Sequence, residues 1–68
     1  MTYTPAPLLR VAHARGDRSA ADIARRLDVP YLAAYRWTTG RATPGPAGLA
    51  AIERVYGLTS ADLIKDAA

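Results

Sequence analysis

The chain has no cysteine, one histidine and one glutamate in 68 residues. Without cysteine there is no disulfide framework and no thiolate metal site, so a reducing, intracellular setting is expected. One histidine and one glutamate cannot supply a nucleophile–base pair with an orienting partner, and the remaining acids sit at caps and turns. No Gly-rich phosphate loop and no metal-ligand spacing occur, so neither an enzyme nor a metal- or cofactor-bearing protein is expected. No apolar run approaches the ~20 residues that span a bilayer, and no charged segment precedes an apolar one at the N-terminus. Neither secretion nor membrane insertion is expected; the expected compartment is intracellular.

The length supports one small domain, since a chain this short buries only ~60% of its unfolded surface. Half of the residues are hydrophobic, but fifteen of them are alanine, which favours helices and is depleted in strands. The charge is uneven. Between Arg10 and Arg41 seven arginines face Asp17, Asp22 and Asp28, a net of +4, whereas the chain from Ala42 onward carries −1. Arginine is the better bidentate partner for phosphate and guanine, which suits a polyanion on that half. A GC-rich coding sequence also yields arginine and alanine, so charge alone does not decide the function.

Residues 1–7, with two prolines and no charge, read as a loose tail preceding a domain at 8–66. Pro7 suits the first turn of a helix reaching about Ala14, with Leu8, Leu9, Val11 and Ala12 as its apolar stripe and Gly16 ending it. Ser19 to Asp22 has the form of a cap, followed by Ile23, Ala24 and Leu27 at helical spacing, which predicts a helix at about 20–27. Asp28 stands where the chain turns sharply, because aspartate tolerates positive φ. Pro30 opens a third helix, Tyr31–Thr38, closed by Gly40. Ala34 and Trp37 share its inner face with Ala33 beside them, leaving Tyr31, Leu32, Tyr35 and Arg36 on the other side. A fourth helix is expected from about Ala47 to Tyr56 and a short fifth opened by the cap Thr59–Asp62, with Leu63 and Ile64 inside. No segment carries a strand signal, so the expected fold is all-α, a compact bundle of five short helices.

Two helices joined by about three turn residues, with small Ala24 in the first and bulky Trp37 late in the second, describe a helix-turn-helix. From Ser19 to Ile64 the chain resembles the Cro/repressor-type (Xre-like) DNA-binding family. The resemblance is carried by Ser19, Ile23-Ala24, Leu27-Asp28-Val29-Pro30, Ala34, Arg36-Trp37, Gly40-Arg41, Pro44, Leu49 to Ile52, Tyr56 to Leu58 and Leu63. It implies a lambda-repressor-like domain that lays the helix Tyr31–Thr38 in the major groove of double-stranded operator DNA. Base contacts would then come from Tyr31, Leu32, Ala33, Tyr35 and Arg36, and phosphate contacts from Arg18, Ser19, Thr39 and Arg41. A homodimer completed on a palindromic operator, monomeric when free, would use Leu58, Leu63 or Ile64.

The chain departs from the family pattern at four places. Ala20 stands where glutamine is common, Pro30 where Ser or Thr is usual, and Thr38 where a glutamate often follows the tryptophan. That glutamate often pairs with a first-helix arginine, whose nearest counterpart here is His13, so the pair is expected to be replaced by a His/Thr arrangement or lost. Two other readings stay open. The tyrosine face also suits a protein-interaction or antitoxin-like module, and an excisionase-like architectural protein shares the helix pair. No small-molecule ligand is expected.

Overall fold

The computed structural model describes residues 2–65. Five helices follow one another: α1 (Ala6–Ala14), α2 (Ala20–Leu27), α3 (Tyr31–Thr38), α4 (Pro46–Tyr56) and α5 (Ser60–Leu63). Two short strands, β1 (Thr2–Tyr3) and β2 (Ile64–Lys65), pair antiparallel at the ends of the described segment. The molecule is therefore mostly helical, as its composition suggests. No described helix is long and apolar enough to cross a membrane.

Local chemistry sets most of the boundaries. Ser19 caps α2 by accepting the Asp22 N–H on its Oγ at 3.1 Å, while the Asp22 carboxylate accepts the Arg18 N–H at 3.2 Å. Asp28 ends α2 in the left-handed region at φ 59°, ψ 50°, and the Val29 N–H then bonds back to the Ala24 carbonyl at 3.0 Å. Pro30, extended at φ −60°, ψ 145°, starts α3. Pro46 occupies the first turn of α4, where a missing N–H costs nothing, one residue earlier than the sequence pattern suggests. Thr59 opens α5, its N–H donated to the Asp62 carboxylate at 2.8 Å.

The core gathers Leu8 and Ala12 of α1, Ile23, Ala24 and Leu27 of α2, Ala34 and Trp37 of α3, and Ala51, Ile52 and Tyr56 of α4. Small Ala24 is buried, and α3 is the element on which α2 packs most extensively. Thus α3 is held from within by Ala34 and Trp37, and the side that carries Tyr31, Leu32, Tyr35 and Arg36 points outward.

Three sequence expectations need correction. Residues 2–5 are not a loose tail: Thr2 pairs with Lys65 and Tyr3 with Ile64, and the Thr4 N–H bonds the Leu63 carbonyl at 3.0 Å. A ladder two residues long leaves no periodicity for a sequence reading to detect. Ile64 belongs to β2, not to the last helix. Leu63 is fully buried among the core side chains, so it closes the domain and presents no surface to a second copy. Asp66, the end of the expected domain, lies outside the described residues.

Candidate nucleic-acid interface

Tyr31, Leu32 and Tyr35 are 55%, 53% and 37% exposed and are the large hydrophobic side chains that the described residues leave in solvent. All three stand on α3. Such clustering is not the scatter of single apolar groups that a plain solvated surface carries. Tyr31 and Tyr35, one turn apart, stack with ring centroids 6.1 Å apart and planes 25° from parallel. Leu32 and Arg36 stand at a second i, i+4 spacing beside them, and Arg36 is exposed.

Ala33 does not share that face. It is half-buried against the core and lines a groove of about 380 Å³ between the α2–α3 turn, α3 and α4, with Val29, Trp37, Ala51 and Arg54. Its i, i+4 relation to Trp37 turns it toward α4, which removes it from the expected base-contacting set.

The four residues expected to hold phosphate divide by their local bonds. Arg41 is exposed just past α3, where its N–H bonds the Arg36 carbonyl at 2.9 Å and so fixes its backbone relative to the helix. Thr39 turns its hydroxyl inward along the helix, donating to the Tyr35 carbonyl at 2.8 Å. Ser19 spends an acceptor site on the Asp22 N–H and keeps its hydroxyl proton for a further acceptor. Arg18 is exposed beside it. Asp22, however, places a carboxylate at the same helix end, where it binds Arg25 and the Arg18 N–H. An approaching anion there meets a negative charge as well as the positive end of the helix.

The other arginines are partly committed. Arg15 donates to the Val55 carbonyl at 2.9 Å, meeting one of the unpaired groups at the end of α4. Arg25 pairs with Asp22. Arg26 sends its Nε to Asp17, the one charged side chain buried among the described residues. The Tyr56 hydroxyl donates to the same carboxylate oxygen at 2.9 Å, tying the α1–α2 turn to both α2 and α4. The Arg26 hydrogen bond holds the Asp17 carboxyl below the usual range against its own burial, whereas burial and the Asp17 bond push the Tyr56 phenol up.

Sequence reasoning missed this network. The available signal was Tyr56 in the apolar stripe of α4, because a buried phenol needs a hydrogen-bond partner. The His/Thr arrangement is not formed: Thr38 donates to the Tyr35 carbonyl at 3.1 Å and His13 is exposed.

Of the remaining candidates, Leu58 and Ile64 are half-buried at the rim of the core. Among the described residues no three His, Cys, Asp or Glu side chains gather into a group able to hold a metal ion. Comparison with models of known families, with characterised proteins and with solved structures gives no match.

Proposed function

We propose that this chain is a sequence-specific DNA-binding regulator of the helix-turn-helix type, with α3 as the helix that enters the major groove. The observation that carries the reading is the outer face of α3, where Tyr31, Leu32 and Tyr35 stand exposed together with exposed Arg36. A major groove about 12 Å wide admits a helix and offers thymine methyls to apolar groups and guanine O6/N7 to arginine. In this reading Arg36 takes a guanine, Leu32 a thymine methyl, and the tyrosine hydroxyls a base or phosphate oxygen. Arg18, Ser19 and Arg41 hold the flanking phosphates, where Asp22 limits the gain at the start of α2, and Thr39, whose hydroxyl and N–H both go to the Tyr35 carbonyl, is left out of this set. Two copies, meeting through surface near Leu58 and Ile64, would bind half-sites about one helical turn apart.

The test is selection from a random duplex library. A palindromic consensus supports the regulator and its symmetric dimer, and no enrichment overturns the DNA reading.

The same patch supports a second reading, a protein-interaction module, because tyrosines are enriched at protein interfaces. Salt dependence separates the two. Binding of random duplex that falls steeply with salt favours DNA, whereas no duplex binding at low salt favours the protein partner.

A further inference from the structure

The last carbonyls of a helix have no intrahelical donor and must be met from elsewhere. In α3 the Tyr35 carbonyl takes the Thr39 N–H and two threonine hydroxyls, and the Arg36 carbonyl takes the Arg41 N–H. The Trp37 carbonyl is met from far away in sequence: the Tyr3 hydroxyl donates to it at 2.7 Å. The chain just past β1 reaches the end of α3 at a second point, where the Pro5 ring lies 3.8 Å from the position a Cβ on Gly40 would take.

Tyr3 is itself held by the other end of the chain. It pairs with Ile64 across the two-stranded ladder, and the neighbouring Thr4 N–H bonds the Leu63 carbonyl. The segment 2–5 is therefore a brace between the C-terminal end of α3 and the α5–β2 region. Burial pushes the Tyr3 phenol up to about 12, so the hydroxyl keeps the proton that it donates throughout the neutral range. A two-stranded ribbon has little stability of its own, so these ties hold the brace in place.

We propose that Tyr3 is a positioning residue for α3, and that the β1–β2 ribbon couples the α5–β2 region to the helix that reads DNA. The inference rests on the DNA-binding reading. Tyr3 contacts no base; it acts through the Trp37 carbonyl, which lies between Arg36 on the outer face and Arg41 just beyond the helix. Fixing that carbonyl fixes the spacing between the proposed guanine-reading and phosphate-holding arginines. Contact between two copies near Ile64 stabilises the ribbon and so the seating of α3, and duplex binding stabilises the same ribbon in return.

The test compares wild type with Tyr3→Phe, which keeps the ring and removes only the hydroxyl. Val55→Ala serves as a control that trims the core from α4, away from the brace. Affinity is measured for the duplex recovered by library selection and for a random duplex, at a temperature where circular dichroism shows all three proteins folded. Hydrogen exchange of the Thr39 and Arg41 amides is followed in parallel. Tyr3→Phe is expected to bind the selected duplex roughly three- to tenfold more weakly, the range of one neutral hydrogen bond, with an unchanged salt slope. Its Thr39 and Arg41 amides should exchange faster than in wild type while those of α2 do not, and Val55→Ala should bind as wild type.

Tyr3→Phe binding the selected duplex like wild type, with or without faster exchange, would reduce Tyr3 to a structural residue and overturn the proposal. If wild type binds no duplex at all, the DNA reading falls and the coupling with it, and the exchange comparison separately reports whether Tyr3 holds the helix end.

Discussion

Gly48 of α4 lies so close to Trp37 of α3 that a Cβ on it would stand 2.7 Å from the indole Cη2 and 2.8 Å from Cζ2. The two helices meet there because one side chain is absent. The indole is a rigid ring on a residue only 9% exposed, so an added Cβ must shift one of the two helices. Gly48→Ala gains about 0.5–1 kcal/mol of helix propensity but overpacks the core by about 1–3 kcal/mol. The expected net effect is a loss of stability, read by denaturant unfolding with Trp37 fluorescence as the probe. Unchanged or raised stability would mean that α4 retreats freely from the indole.

Asp17 accepts hydrogen bonds from both Arg26 and Tyr56 and titrates below its ordinary value of 3.8. The unfolded chain takes up that proton at higher pH than the native one. The stabilisation is therefore complete above about pH 4 and is lost as pH falls through the lowered native value. Asp17→Asn should flatten this acid limb in unfolding free energies measured from pH 6 down to pH 2. Asp17→Ala, which leaves the buried Tyr56 hydroxyl without its acceptor, should cost about 1–3 kcal/mol at neutral pH. An acid limb of equal steepness in wild type and Asp17→Asn would show that other carboxylates dominate.

At the alkaline end the sign reverses. An unfolded tyrosine ionises near 10 and Tyr3 in the native chain near 12, so the stabilisation is present below pH 10 and fades between these values. Wild type should lose stability across that window more steeply than Tyr3→Phe. Tyrosinate absorbance should show part of the phenol signal held back to about pH 12 by Tyr3. Tyrosinate absorbance already complete near pH 10 while the chain stays folded would contradict the placement of β1.

Asp28 occupies a left-handed conformation at φ 59° and is exposed. Asp28→Gly relieves that backbone cost while freeing the unfolded chain, which leaves an expected gain of less than about 1 kcal/mol. Thermal unfolding measures it. A clear loss would mean that the Asp28 side chain makes a contribution unrelated to the turn.

The same residues explain what was legible before the structure. The cap at Ser19, the turn at Asp28 and the glycines at 40 and 57 act through neighbours in the chain, so they marked the ends of α2, α3 and α4 closely. The outer face of α3 was legible for the same reason: helical spacing separates Tyr31, Leu32, Tyr35 and Arg36 from Ala34 and Trp37. Long-range contacts left no such trace. Tyr3 meets Trp37 across 34 positions and Tyr56 meets Asp17 across 39, and nothing local requires either pair. Leu63 shows a subtler limit, because an apolar residue at the end of a chain has the same spacing whether it faces its own core or a partner.

Arg36 and Arg41 are separated by five positions and one backbone hydrogen bond, yet the DNA-binding reading assigns them opposite kinds of contact. If Arg36 reads a guanine edge, Arg36→Ala should cost about 1–3 kcal/mol on the selected duplex and relax preference at one base pair, leaving random duplex less affected. If Arg41 holds a phosphate, Arg41→Ala should weaken selected and random duplexes alike and lower the salt slope by about 1. Titrations of both variants at several salt concentrations measure both quantities. A reversed pattern would turn α3 the other way in the groove, with its C-terminal end toward the bases. Two variants that bind like wild type would remove α3 from the DNA interface and return its tyrosine face to the protein-partner reading.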